Sequence, residues 1–210
     1  MPTQPRNFDQ AAATWDEKPQ RVQLAQEVAD AILREVPITT TMNALDFGCG
    51  TGLLTLQLQP HVRTIIGADS SQGMLNILNT KIAAAGLDNV CSMHYSAERK
   101  GNLQGKYHLI VSCMTLHHVR DIEPLFAQLY AAMIPGGVLC LADLDAEGGR
   151  FHDDNTGVFH FGFDRSELQA MLGATGFQGM RALTATEIAK PHADGTLSHF
   201  PVFLVIAHRR

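Results

Sequence analysis

Between Asp46 and Gly52 the chain reads Asp-Phe-Gly-Cys-Gly-Thr-Gly, three glycines at alternate positions behind one acid. Glycine reaches backbone conformations closed to other residues and leaves no side chain between a ligand and the main chain. Gly48, Cys49, Gly50 and Gly52 therefore predict a loop whose backbone a ligand approaches closely, with amide donors from the helix-like Leu53-Leu54-Thr55-Leu56 beyond it. Asp69 closes the next apolar run, about twenty residues on, where a carboxylate accepts hydrogen bonds from both hydroxyls of an adenosine ribose. A dinucleotide site needs a further glycine for helix packing against a pyrophosphate, and Leu53 occupies that place. A nicotinamide-dependent oxidoreductase is thus the weaker reading. Asp46 instead suits a positively charged ammonium, held directly or through the loop.

The ten histidines form the second chemical set. Near-neutral imidazoles remove protons, and His117, His118, His152 and His160 are candidates to do so or to shape an acceptor pocket. His152 and His160 fall in the connection 143–164, and one so long in a compact domain is more often functional than accidental. Their spacing matches no standard zinc pattern, so no metal is expected.

Elements able to position these groups are legible around them. Short continuous apolar runs at 44–47, 64–68, 90–93, 109–112 and 138–142 predict strands covered on both faces. Helical segments alternate with them. Val22, Ala25, Ala29, Ile32 and Val36 form the stripe of an amphipathic helix over 20–36, stopped by Pro37. Ser70 or Ser71 caps a helix ended by Gly86, Pro124 opens one ended by Pro135-Gly136-Gly137, and Asp164 with Glu167 opens one closed by Gly176. This alternation predicts a doubly wound Rossmann-like α/β sheet. Turn chemistry at Asp194-Gly195, between apolar segments 180–188 and 200–207, predicts an antiparallel hairpin at one sheet edge.

Composition narrows the function classes. The 210 residues are 45% hydrophobic with a net charge of −5, enough for a sizeable core and lacking the basic excess of nucleic-acid binders. No apolar run suffices for a membrane span or signal peptide, and Cys49, Cys91, Cys113 and Cys140 are widely spaced. Buried free thiols in a cytoplasmic protein are expected.

Asp46 to Gly52 resembles the nucleotide loop of class I S-adenosylmethionine-dependent methyltransferases, and 67–75, containing Asp69, Ser70 and Met74, is similar to their second motif. Residues 107–118 resemble their fourth-strand segment, and Ile134-Pro135-Gly136-Gly137-Val138-Leu139 the turn into the fifth. The small bacterial ubiquinone/menaquinone-biosynthesis enzymes look closest. The resemblance implies a seven-stranded, mostly parallel sheet with an antiparallel last strand, S-adenosylmethionine as cofactor and a methyl group placed near Ser112, Met114, His117 and His118. It implies adenine beside Ser96-Ala97-Glu98, with Ser96 where the family often carries an acid. Residues 1–36 are then a helical segment in which Trp15 forms part of a lid or packs on the surface, and 37–210 the catalytic domain. The expected acceptor is a small molecule. A non-catalytic module that only binds the cofactor is the alternative.

Overall fold

The apolar runs at 44–47, 109–112 and 138–142 become strands buried on both faces, whereas in the run at 90–93 only Val90 is buried. In the computed structural model, residues 6–97, 103, 105–191 and 196–210 are described. The strands are β1 (Asn43–Phe47), β2 (Thr64–Asp69), β3 (Val90–His94), β4 (Tyr107–Cys113), β5 (Met133–Leu144), β6 (Phe177–Pro191) and β7 (Leu197–Arg209). They form one sheet in the order β3-β2-β1-β4-β5-β7-β6, with β7 antiparallel to both neighbours. The expected fold class is observed. The turn expected at Asp194-Gly195 lies outside the described residues, while the hairpin it would join is formed by β6 and β7.

The helices are α1 (Pro19–Glu35), α2 (Leu53–Leu58), α3 (Gln72–Ala85), α4 (Ile122–Ala132) and α5 (Arg165–Thr175). Two hydrophobic clusters fill the faces of the sheet, one with α4 and α5 around Phe126, Leu129 and Phe203, the other with α1 and α2 around Ile32, Leu58 and Leu204. The anticipated caps are made: Ser71 Oγ accepts the Met74 amide, Asp164 accepts those of Ser166 and Glu167, and Gly86 and Gly176 close their helices in the left-handed region.

Three expectations are corrected. Val22 is exposed and the buried stripe of α1 runs through Ala25, Val28, Ala29, Ala31 and Ile32, because the helix meets the sheet only beyond its first turn. Cys91 is exposed, not buried, since β3 is an edge strand with a weakly covered face; all four cysteines are free. Finally, Ile134-Pro135-Gly136-Gly137 is the first part of β5, pairing begins at Met133 opposite Tyr107, and a register shift between Tyr107 and Leu109 absorbs the extra residues.

Function follows from the winding. From β1 the chain proceeds through β2 and β3 to one side and through β4 and β5 to the other. The crevice at the carboxyl ends of β1 and β4 is the topological switch point, where open α/β sheets hold ligands. β1, β2 and β5 all carry acids at or next to that end: Asp46, Asp69 and Asp143.

Candidate active site

The loop leaving β1 is held from below. Gly48 and Cys49 donate to Ala68 O at 2.7 and 3.1 Å, so the chain turns sharply over β2. A Cβ at Gly48 would overlap the Thr115 side chain, whose hydroxyl donates to Gly48 O, and this close approach joins the loop to the end of β4. Cys49 is buried with Leu75 and Leu78, and its carbonyl accepts the Gly52 amide at 2.9 Å, which tightens the turn. Gly50 has φ +55, and a Cβ there would come no nearer than 4.0 Å to the Met74 sulfur: its outer face is open. Thr51 is tied down and Gly52 precedes α2 in the left-handed region.

Asp69 fastens the same loop from β2. Its Oδ2 accepts the Gly50 amide and its Oδ1 the Ser71 amide, each at 2.8 Å. A carboxylate accepts about four hydrogen bonds, so each oxygen keeps capacity for a hydroxyl. Burial raises its pKa, against the pull of those amides. Ser70 is exposed, its carbonyl meeting His94, and Tyr95 N donates to Asp69 O at 2.8 Å, which places Ser96 and Ala97 directly after the rung beside Asp69. Glu98 lies outside the described residues.

Asp46 is 1% exposed and takes the Thr55 hydroxyl at 2.6 Å. Burial, aided by the charge of Asp69, pushes its pKa up to about 7. Near neutral pH it is thus poised between its protonated form and the carboxylate, the balance that burial chiefly sets. Ser112 is also buried and donates its hydroxyl to Phe47 O at 2.8 Å, holding β4 against β1. Met114 stands at φ +54, uncommon for a side-chain-bearing residue, with its amide bonded to Ala142 O.

The histidines divide. His117 and His118 follow β4 in a short 3-10 turn, and His152 reaches them from the connection after β5; one ring nitrogen from each lies within 4.8 Å of the others. His117 Nδ1 meets Asp143 Oδ1 at 2.7 Å, and His118 Nδ1 meets Gly157 O at 2.7 Å. Burial alone would raise the fully buried Asp143 carboxyl, but the His117 ring and the amides of Leu144 and His117 hold it below its ordinary value. Burial, then the neighbouring His117, depress His118 to about 3 and His152 to about 4. Both rings are therefore neutral at physiological pH. His160 is elsewhere: its Nε2 meets Val119 O at 2.9 Å, and it lines a cleft of about 520 Å³ with Arg120, Phe163 and Met171.

A segment marked in the sequence only by Trp15 spans both halves. Residues Asp9–Glu17 form a 3-10 helix against the mouth of the crevice. Asp9 accepts from Ser71 Oγ and Gly73 N, while Asp16 accepts from Thr51 Oγ1 at 2.6 Å and pairs with Lys81. Phe8 sets its ring 5.9 Å from Trp15 and 5.0 Å from His118. Trp15 is half-buried under the Arg21 guanidinium, 3.5 Å from its centroid. α1, by contrast, packs into the core. The acids at 9 and 16, spaced seven residues before a helix, were the available signal for this strap.

Among curated relatives, an uncharacterized methyltransferase of Schizosaccharomyces pombe is 31% identical over 58% of this chain and 48% of its own length. A ubiquinone biosynthesis O-methyltransferase of Rhizobium etli is 30% identical over 50% of the chain and 42% of its own. The chain thus spans less than half the length of these relatives. Solved structures share the fold: a methyltransferase from Haloferax volcanii in complex with the Trm112 activator superposes with TM-score 0.77 over 98% of this chain and 99% of that one, at 15% identity. Phosphoethanolamine N-methyltransferase 2 of Haemonchus contortus, complexed with S-adenosylmethionine, gives 0.70 over 86% and 52%, at 16% identity. Residues 20–182, more than three quarters of the sequence and the whole of the crevice but for the N-terminal strap, match the methyltransferase domain family, and the chain belongs to that family.

Proposed function

We propose that the protein transfers the methyl group of S-adenosylmethionine to a small-molecule acceptor. The observation that carries this reading is the pairing of an open glycine loop with two acids of different duty. Asp69 keeps hydrogen-bonding capacity for the two ribose hydroxyls, and Asp46 supplies buried negative charge for a cation beneath Gly48–Gly52. Met74 lines the loop, Ser96 and Ala97 form the rim for adenine, and Ser112 and Met114 shape the end of β4 where the methyl is directed. When bound, the cofactor supplies a methyl carbon already activated by a sulfonium.

The chain's own task is then alignment and exclusion of water, and orientation alone is worth roughly 7 to 11 kcal/mol. The strap, with Trp15 and Phe8, covers the crevice. His117, His118 and His152 face the acceptor side, where the neutral rings of His118 and His152 orient the acceptor; His160 acts from the adjoining cleft as a wall. The acidic chain, with no basic excess, favours a small acceptor over nucleic acid. Four free thiols fit a reducing compartment such as the cytoplasm.

Calorimetry with S-adenosylmethionine, followed by a labelled-methyl assay against pooled small metabolites, tests the reading. Binding and label incorporation are expected. Binding without incorporation across the pools would favour a module that only holds the cofactor, and absence of binding would end the proposal.

A further inference from the structure

We propose that His117, His118 and His152 form a three-histidine site for a divalent metal ion of the zinc class, at the acceptor end of the crevice. The ligand atoms, one from each ring, lie within 4.8 Å of one another. Around a tetrahedral zinc with bonds of about 2.0–2.1 Å, nitrogens sit roughly 3.3 Å apart, so closure needs about 1.5 Å of inward tilt shared among three side chains.

The surroundings are those of ligands. Metal-bound histidines hand their second nitrogen to a carboxylate or backbone carbonyl, which fixes the tautomer. His117 does so to Asp143 and His118 to Gly157 O, leaving each Nε2 with its lone pair free. His152 Nε2 is buried without a hydrogen-bond partner among the described residues. Three rings at centroid separations of 4.1, 5.1 and 5.6 Å gather polar nitrogens where packing alone would favour aliphatic groups. A cation resolves that demand. All-nitrogen donors select zinc, cobalt or nickel over magnesium or calcium. Chain topology explains why spacing hid the site: β4 and β5 are neighbours, so the segments that follow them meet although some thirty residues separate them.

Three protein ligands leave a fourth position open, the arrangement of catalytic rather than structural zinc. Resting on the methyl-transfer reading, the site selects acceptors with a hydroxyl or thiol. The acceptor's O–H or S–H bond breaks as it meets the metal and the proton passes to solvent. The anion's lone pair then forms the bond to the methyl carbon, while the C–S bond breaks and its electron pair stays on sulfur.

The test is cobalt(II) titration of chelator-treated protein, read by the intense visible absorption of four-coordinate cobalt, with S-adenosylmethionine affinity measured on the same samples. One cobalt per chain is expected. His152→Ala and His118→Ala should each weaken it at least tenfold, Asp143→Asn by about 10- to 100-fold, and His199→Ala, on an exposed strand position, not at all. Should Asp143→Asn fail to fold, His152→Gln in the connection after β5 asks the same question. No cobalt signal, or a signal that survives His152→Ala, overturns the metal site. Loss of the metal in His152→Ala with cofactor binding intact supports it, and cofactor binding that is absent throughout would sink the methyltransferase reading alone.

Discussion

Replacing Asp46 by asparagine should flatten part of the pH dependence of stability in the ligand-free protein. Asp46 is 1% exposed, and burial first, then Asp69, raises its pKa from 3.8 to about 7. In the unfolded chain it returns to about 3.8. Between these values the folded form holds a proton that the unfolded form releases. The stability it contributes is complete below the unfolded pKa and is lost as pH rises through the folded one. Three units at about 1.36 kcal/mol each give about 4 kcal/mol across the window, and about 2 kcal/mol between roughly pH 5.5 and pH 8. His118 and His152, depressed in the folded state, act oppositely, their stability falling away as pH drops below the ordinary imidazole value. The difference between wild type and Asp46→Asn removes them. Urea unfolding followed by circular dichroism at the two pH values should show wild type losing about 2 kcal/mol more than the variant on going to alkaline pH. Parallel behaviour would falsify the account of Asp46 as a desolvated carboxylate waiting for a cation. The same logic predicts that affinity for a cationic cofactor rises through neutral pH in wild type and not in the variant.

Asp69→Asn should lower S-adenosylmethionine affinity at least tenfold in calorimetry, since hydrogen bonds to a charged partner are worth about 1.5 to 3 kcal/mol each; unchanged affinity would move the ribose elsewhere. Gly50→Ala adds a side chain at φ +55 and on the open face of the loop, at a backbone cost of about 1–2 kcal/mol. Its circular dichroism should match wild type while cofactor binding disappears, and retained binding would show that nothing approaches that backbone. Asp16→Ala releases the strap from Thr51 and Lys81; unfolding free energy should fall by no more than about 1 kcal/mol, the pair being partly exposed. Stopped-flow measurement should find faster cofactor release, and an equal rate would deny the strap any hold on the crevice.

The legible half of the site is the half written by local rules. Asp46, the glycines and Asp69 lie within one β-α-β unit, where each residue's place follows from its distance to a strand end. Helix caps at Ser71, Asp164, Gly86 and Gly176 were equally readable, because a cap is decided within four residues. What failed depended on partners remote in sequence. Val22 carries the right period yet lies beyond the reach of the sheet, and Cys91 has strand character on an edge that little covers. The strap at 9–17 is too short for a helical period to single it out; it is placed by Asp9 and Asp16 reaching groups more than thirty residues away.

The histidine cluster is the extreme of this rule, and it shows how the fold makes the two halves one site. Gly48 is pinned to Thr115, two residues before His117, so the glycine loop and the first two histidines ride on a single junction between β1 and β4. Asp143 reaches across from β5 to His117, and the connection behind it delivers His152. Phe8 then rests on His118 while Asp16, in the same helical strap, holds Thr51 in the glycine loop. A strap that touches the glycine loop at one end and the histidine cluster at the other cannot lift from one without disturbing its seat on the other. Order in the strap should therefore couple cofactor retention to the geometry of the histidines, which is what a reaction needing only alignment and dryness requires of its protein.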